Sequence, residues 1–299
     1  MTRVWHSDKV SAAYPADHVR NPTGVAASRY SRTRYWWEIG LVLGLTVGRS
    51  ALYSVLSLIR TLAESGSLAG QETQINQPQD AAAFWDITYQ VLGWGFGLMG
   101  VALAIFLLWE PADNALHRIG LDFRHFGHDI LRALLVAAVI GIPGLGLYAL
   151  GRALELTVAV RASPLDPSWW TIPLLLLAAV RAGLTEEVIF IAFLFDRLRR
   201  LGWGWWTIIL STALLRGAYH AYQGYGAIVG NVAMGIVFGW CYRRWGRIMP
   251  LVIAHTLLDV VAFVGYPLAA ALWPDVFAPP ALPSPSPSPT PTESPTPVA

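Results

Sequence analysis

Residues 91–109 read VLGWGFGLMGVALAIFLLW and contain no charged side chain. A helix needs about 20 consecutive apolar residues to cross the ~30 Å hydrocarbon layer of a bilayer. Comparable apolar stretches recur along the chain, and we expect helices near residues 36–60, 84–109, 130–151, 169–195, 204–220, 226–242 and 249–271. The sequence therefore predicts an all-α fold, a polytopic transmembrane helical bundle with about seven spans.

The composition of the whole chain agrees with a membrane protein. Of its 299 residues 55% are hydrophobic and only 13% are charged, and the mean hydropathy is +0.46. Soluble domains carry about a quarter charged residues, so this chain cannot cover a water-facing surface. Its net charge of +2 is too small for a nucleic-acid-binding protein. A single cysteine, Cys241, excludes an intrachain disulfide and a thiolate metal cluster.

The distribution of basic residues predicts the orientation. With the N-terminus in the cytoplasm, the opposite side of the membrane holds only Arg60, Arg152 and Arg161, whereas the cytoplasmic segments hold Arg3, Lys9, Arg20, Arg29, Arg32, Arg34, Arg118, Arg124, Arg197, Arg199, Arg200, Arg243, Arg244 and Arg247. Lys and Arg accumulate in cytoplasmic loops. An odd number of spans then places the C-terminus outside the cell.

Four regions follow from these patterns. We predict a polar, basic cytoplasmic segment without a cleavable signal peptide at 1–34, three transmembrane helices in 35–165, a catalytic helical core in 166–273 and a disordered Pro/Ser/Thr-rich tail at 274–299. The tail cannot form a core, so a spacer is expected, with a ligand for a partner domain as the alternative.

Ionisable side chains inside the apolar stretches are candidates for function, because such groups are costly in a bilayer unless they are paired or face water. They are Arg49, Asp86, Arg132, Arg181, Glu186, Glu187, Arg216, His220, His255 and Asp259. We expect Asp86 and Arg132 to reach the membrane surface from span ends. Arg49 lies in the middle of the first stretch, where a structural counter-charge to a buried carboxylate is expected.

Three of the later stretches carry the remaining polar groups. Glu186 and Glu187 are adjacent, and two desolvated neighbouring carboxylates are suited to provide a general base. His220 ends the next stretch. His255 and Asp259 are four residues apart on one helix face, where the acid can fix the imidazole tautomer. We predict that these groups share one polar site.

The sixth stretch favours close helix packing. Glycines recur in it in two small-xxx-small pairs, at Gly226, Gly230, Gly235 and Gly239. Asn231 lies beside them, and a polar contact from its amide into the same cavity is expected.

The pattern of a Glu pair, a histidine ending the next helix and then His-x-x-x-Asp resembles the CPBP family of intramembrane proteases. This family, also called Abi, includes the Rce1-like CAAX-processing endopeptidases and bacterial bacteriocin-processing or immunity proteins. The resemblance covers roughly residues 170–262. It implies that Glu186 and His220 activate water, that Glu187 and His255 support the water or the oxyanion, and that Asp259 takes the place of the family's Asn or Asp.

The chain departs from the family motifs at two positions. The family's arginine after the Glu pair is Ile191 here, and the phenylalanine four residues before the histidine is Arg216. The two positions lie on facing helices beside the predicted site. We hypothesise that the guanidinium has moved from one helix to the other and still meets the Glu pair. The opposing interpretation is that both motifs have decayed and the protein is inactive.

The predicted chemistry is peptide hydrolysis by water in a membrane-embedded cavity. A carboxylate takes a proton from water, and imidazole and Arg216 stabilise the oxyanion. The sequence is compatible with two alternatives: no cofactor, or a divalent metal such as Zn²⁺ held by Glu186, His220 and His255. The expected partners are membrane lipids and a peptide or membrane-protein substrate, without nucleic acid, and we expect the cavity to open to the cytoplasm.

Other functions are compatible with the same residues. The chain could be a catalytically inactive scaffold or immunity-type protein of the same fold. It could instead be a proton-coupled transporter, although no inverted repeat supports this.

Overall fold

The computed structural model describes residues 30–68, 71–74, 76–110, 114–161 and 169–265, together with residues 268 and 272. Ten α-helices are found in these ranges: α1 Arg32–Leu45, α2 Val47–Ser65, α3 Ala83–Leu108, α4 Ala115–Arg118, α5 Phe126–Ala153, α6 Thr171–Glu186, α7 Leu194–Arg200, α8 Trp205–Tyr219, α9 Tyr225–Trp245 and α10 Met249–Val260. The predicted helical bundle is therefore confirmed. The predicted tail at 274–299 and nearly all of the N-terminal segment lie outside the described residues.

Two short strands were not predicted. Strand β1, Glu72–Gln74, pairs in parallel with β2, Ala159–Arg161. Just before β2, Thr157 forms a bridge with Gly224, and the Val158 amide donates to the Gln223 carbonyl over 3.2 Å. Strands of three residues carry too little periodic pattern to be recognised in a sequence. The strand pair joins the segment between α2 and α3 to the segment after α5, and the bridge at Thr157 joins the latter to the turn after α8.

The stretch predicted as one helix near 36–60 is instead two helices. Helices α1 and α2 meet at Thr46, where the helix axis bends by 57°. Thr46 has φ −129° and ψ −128°, outside the helical region, and its hydroxyl donates to the Val42 carbonyl over 2.6 Å. Such back-bonding competes with the regular helix ladder and bends helices.

Some of the helices are long and apolar enough to cross a membrane. Among the described residues these are α3, α5 and α9, and the bent α1–α2 pair is a fourth if it forms one span. Large apolar side chains on α3 and α5 are exposed, including Phe96, Phe106, Ile142 and Leu145, as expected for lipid-facing helices. The total of seven spans stays a prediction, because α8 and α10 are shorter.

The centre of the bundle is a long helix with a widened middle. Helix α6 continues through π-helical turns at Glu187–Phe193 into α7, and every residue of the π-helical part is buried. Helix α10 packs against α6 and α5, while α8 packs against α9 and α2. These contacts place the later helices around the predicted Glu pair.

An ion-pair cluster fixes the beginning of α10. The Arg247 guanidinium lies 2.7 Å from Asp129 on α5 and 2.9 Å from Asp122 in the preceding loop. Burial alone would raise the pKa of Asp122, but hydrogen bonds from Arg247 and the Arg124 amide, with the Arg247 charge, hold this pKa below its ordinary value. The cluster therefore sets the position from which His255 extends into the bundle.

Candidate active site

The two adjacent carboxylates lie where the central helix changes its geometry. Glu186 is the last residue of α6, and Glu187 is the first residue of the π-helical turns. Their exposed fractions are 4% and 0%. A π-bulge widens the helix by one residue per turn and is frequent at functional sites. Here the change of helix geometry coincides with two adjacent buried carboxylates.

Arg216 lies between these acids. Its Nη2 atom is 2.7 Å from Glu187 Oε1 and 3.1 Å from Glu186 Oε2, and the side chain is 1% exposed. The guanidinium carbon lies 5.2 Å from the ring centroid of Phe238 and 5.9 Å from that of Phe190. Such aromatic faces stabilise a buried cation. The structure thus places a guanidinium from α8 against the two carboxylates at the junction of α6 and the π-helical turns, as the exchange hypothesis requires.

His255 completes this group from α10. Its Nδ1 atom is 2.8 Å from Glu187 Oε1 and 3.0 Å from Arg216 Nη2, while its Nε2 atom is 3.6 Å from Asp259 Oδ2. Nδ1 can either donate to Glu187 or accept from Arg216, but it cannot do both. Glu187 and Asp259 therefore flank the imidazole on its two nitrogen sides, which fixes the orientation of the ring.

His220 approaches the cluster from the other side. It caps the C-terminal end of α8, and its Nδ1 atom lies 3.1 Å from the Arg216 carbonyl oxygen. A carbonyl only accepts, so Nδ1 carries a proton, and in the neutral imidazole Nε2 is then an acceptor. This Nε2 atom is 3.9 Å from Glu186 Oε1. Two acceptors at this separation make no direct hydrogen bond and are suited to a shared donor such as water.

Two glycines let two pairs of helices approach closely. A Cβ atom at Gly183 on α6 would lie 2.9 Å from the Thr256 hydroxyl on α10, and one at Gly235 on α9 would lie 2.8 Å from the Ala213 backbone on α8. Both distances are too short for ordinary side-chain contacts. Larger residues would move α10 away from Glu187 or α8 away from α9, and the site would open.

Several buried polar atoms of the site have no hydrogen-bond partner among the described residues. They are Glu187 Oε2, Thr185 Oγ1, Arg181 Nε, Arg216 Nε and Arg216 Nη1, whereas Glu186 Oε2 has its ion pair with Arg216 Nη2. Buried polar atoms are usually satisfied, so an accumulation at one place is informative. Donors and acceptors remain here for a bound polar ligand.

The arrangement does not fit the alternative with a bound metal. In the predicted ligand set, Arg216 Nη2 lies within 3.1 Å of Glu186 and 3.0 Å of His255, between two of the three ligands. Arg216 already places a positive charge between these atoms, and a second cation there would be repelled by it. Within the described part of the chain, no group of three or more His, Cys, Asp or Glu side chains could hold a metal ion.

Three other ionisable groups of the apolar stretches lie outside this cluster, two of them near span ends and one in the middle of a stretch. Asp86 lies near the start of α3 and accepts from the Gln79 amide over 2.6 Å, and the Arg132 guanidinium lies 5.1 Å from the Trp245 ring centroid, as expected for span ends. Arg49 was expected to pair with a buried carboxylate. It makes no ion pair with any described carboxylate, so that expectation is wrong for this part of the chain.

Asn231 makes a local contact. Its amide nitrogen donates to the Ala227 carbonyl of its own helix over 3.0 Å. No hydrogen bond joins it to the Glu or His side chains that the structure describes, and its predicted role in the cavity stays a prediction.

Some features of the site were not found from the sequence. The π-helical turns have no recognised sequence signal. In the sequence, Phe190 and Phe238 are indistinguishable from ordinary core residues. Tyr219 also escaped notice, although its ring contacts the His220 ring with centroids 4.8 Å apart. Its position directly before His220 was the available signal.

Residues 168–261 match a family model described as type II CAAX prenyl endopeptidase Rce1-like. The matched segment contains every residue of the cluster: Glu186, Glu187, Arg216, His220, His255 and Asp259. The match confirms the resemblance predicted from the motifs. No curated protein and no solved structure matches the chain. Residues 168–261 are therefore similar to a family whose members are generally peptidases, and the apolar helices indicate a membrane protein.

Proposed function

We propose that this protein is an intramembrane endopeptidase that hydrolyses a peptide bond with water activated by Glu186 and His220. The observation that carries the proposal is the pair of acceptors facing each other, His220 Nε2 and Glu186 Oε1, 3.9 Å apart. A water that donates to both satisfies both. Its oxygen lone pairs then point away from them, available for attack on a carbonyl carbon.

Glu186 acts as the general base in this scheme. It takes a proton from the water while the oxygen attacks the scissile carbonyl, and it passes that proton to the leaving amine when the carbon–nitrogen bond breaks. His220 orients the water, since its Nδ1 proton is held by the Arg216 carbonyl. A Ser or Cys nucleophile is not needed.

Arg216 stabilises the oxyanion of the tetrahedral intermediate. Its Nε and Nη1 atoms are buried without hydrogen-bond partners among the described residues, while Nη2 is held by the Glu pair. Fixed donors in a site that excludes water contribute much more than donors in bulk water. Glu187 and Asp259 position Arg216 and His255.

The wider setting belongs to the same proposal. Residues 166–273 form the catalytic core, while residues 35–165 surround it with further helices. The N-terminus is cytoplasmic and the C-terminal tail extracytoplasmic, and a peptide or membrane-protein substrate reaches the site within the lipid bilayer.

The test uses the full-length protein in lipid vesicles and a library of quenched fluorogenic decapeptides with apolar C-terminal halves. We expect wild type to cleave members of the library. Glu186→Gln and His220→Ala should each lose at least about 100-fold in kcat, the typical contribution of acid–base groups. Glu64→Gln is the matched control, because Glu64 is exposed and pairs with Arg60 on α2.

Binding of the same peptides separates the competing functions. A protease variant such as Glu186→Gln still binds peptide without cleaving it. Binding by wild type without any cleavage would refute the proposal and favour the inactive scaffold. Proton flux into the vesicles that depends on Glu186, again without cleavage, would favour the transporter.

A further inference from the structure

Arg181 is an ionisable group of the later apolar stretches to which the proposed mechanism gives no role. It lies on α6, five residues before Glu186. Its Nε atom is shielded from solvent and has no hydrogen-bond partner among the residues that the structure describes. A buried donor of a charged group is costly when it is left without an acceptor. Arg181 therefore needs an acceptor.

The packing of α6 against α10 places Arg181 beside the outer acid of the cluster. The two helices approach closely at Gly183, where an added Cβ atom would lie 2.9 Å from the Thr256 hydroxyl. The first half of α6 lies in one apolar cluster with Phe263, which follows α10. The helices are therefore antiparallel, and Arg181 lies at the level of Asp259. The charge of Arg181 accordingly acts on this carboxylate.

The acids of the cluster already have closer partners than Arg181. Arg216 contacts both carboxylates of the Glu pair, and Asp259 Oδ2 lies 3.6 Å from His255 Nε2. Arg181 forms an ion pair with no carboxylate in the described ranges. The cluster thus leaves this guanidinium for an anion that the protein itself does not supply there.

Arg181 lies on the accessible side of the site. Arg216 is 1% exposed, whereas Arg181 is half-buried and the side chains of His220 and Asp259 are 15% and 20% exposed. One turn after Arg181, the buried Thr185 hydroxyl also has no partner within the described part of the chain. A bound chain therefore meets one cation and one hydroxyl on the same face of α6.

We propose that Arg181 binds an acidic side chain of the substrate, so that the protein selects peptides with Asp or Glu close to the cleaved bond. This inference rests on the proposed function, because it assigns a specificity residue for the peptide hydrolysed at Glu186. The two residues are about 7.5 Å apart along α6, and an extended peptide spans about 3.3 Å per residue. The acidic residue then lies about two residues from the scissile bond.

A carboxylate satisfies Arg181 better than a main-chain carbonyl does. The guanidinium presents a planar fork of donors, and a carboxylate accepts two parallel hydrogen bonds from it and balances its charge. A carbonyl supplies an acceptor without a charge. The carboxylate at the end of a peptide has the same chemistry as an acidic side chain, so the test peptides carry a C-terminal amide.

The experiment uses the full-length protein in vesicles of neutral lipid and amidated fluorogenic decapeptides in which a single Glu, Gln or Lys is moved through the sequence. We expect wild type to cleave one Glu form with a kcat/KM at least about tenfold higher than its Gln form, mainly through KM. Arg181→Gln should bring this ratio close to one, Arg181→Lys should keep part of it, and Arg181→Glu should favour Lys at the same position. The matched control is Arg132→Gln, which should keep the wild-type ratio because Arg132 lies over Trp245 outside the cluster.

Binding to Glu186→Gln, measured by fluorescence anisotropy of the same peptides, separates this inference from the proposed function. Tighter binding of one Glu form than of its Gln form, removed by Arg181→Gln in this background, supports the inference even if wild type cleaves no peptide. Equal binding and equal cleavage of the Glu and Gln forms would overturn it while leaving the protease intact. It would also be overturned if Arg181→Gln weakened both forms equally, since Arg181 would then only balance the charge of Asp259.

Discussion

Removing the Arg216 guanidinium should destabilise the protein strongly. The side chain is 1% exposed, and its Nη2 atom contacts both Glu187 and Glu186. Deleting one partner of a buried ion pair costs about 3–5 kcal/mol, since the remaining charge is left uncompensated in the interior. Here two buried carboxylates lose their common cation. For Arg216→Met we expect a loss near the upper end of that range, because both carboxylates are left uncompensated. Methionine retains much of the side-chain volume between the two phenylalanine rings, so little of the loss comes from a cavity.

A second substitution should reverse part of this loss. In Arg216→Met/Glu187→Gln one negative charge is gone together with the cation, so the site keeps its shape with less repulsion. We expect the double variant to recover about half of the free energy of unfolding that the single variant loses. The matched control is Arg132→Met on α5, which removes only a guanidinium lying over Trp245 and should cost about 1 kcal/mol or less.

The free energy of unfolding is measured in lipid bicelles by steric trapping, which reports the folded population without heating. The reasoning would be refuted if Arg216→Met cost no more than Arg132→Met. It would equally be refuted if the double variant were no more stable than the single one, since the loss would then not come from uncompensated carboxylates.

Three further predictions follow from the same structure. The swap Ile191→Arg/Arg216→Phe should restore stability and peptide cleavage relative to Arg216→Phe and Arg216→Ala; a swap no better than Arg216→Phe alone would disprove the exchange of the guanidinium between helices. Treatment with EDTA and phenanthroline should leave cleavage within about twofold of the untreated protein, because Arg216 takes the place between the carboxylates; loss that Zn²⁺ restores would contradict this. The pKa of Asp122 is lowered in the folded protein by Arg247, so its contribution to stability is present at neutral pH and is lost as pH falls below about 4. Asp122→Asn should therefore be less stable than wild type at pH 7, with the difference shrinking toward pH 2 in pH-dependent unfolding; a difference independent of pH would refute the assignment.

The predictable parts of the fold were those with a strong local signal. Apolar stretches such as 84–109 correspond closely to α3, since length and hydropathy are properties of the stretch itself. The parallel pairing of Glu72–Gln74 with Ala159–Arg161 depends on partners distant in the chain, and no window of sequence contains that information. The bend at Thr46 goes with a local contact to Val42, but a threonine in an apolar stretch does not by itself predict a bend.

The candidate site was predictable in its members and less so in its geometry. Four members of the site were identifiable from the sequence: Glu186, Glu187, His220 and His255. Ionisable groups in apolar stretches are costly and therefore indicate pairing or function. The contact of Arg216 with both acids was a hypothesis from residue spacing. In the structure this contact depends on the close packing of α8 against α9 at Gly235. The expectation of a counter-charge role for Arg49 was wrong among the described residues, because Tyr219 at the end of α8 and Tyr222 in the following turn, rather than a carboxylate, line the pocket beside it.

The central claim is that Glu186 and His220 act on one water molecule as a unit. The most direct measurement is a double-mutant cycle on kcat for a fluorogenic decapeptide that wild type cleaves, with wild type, Glu186→Gln, His220→Ala and the double variant in vesicles. Groups that act together give a double variant no slower than the slower single variant. Losses that multiply, or a Glu186→Gln variant that cleaves as fast as wild type, would contradict the account.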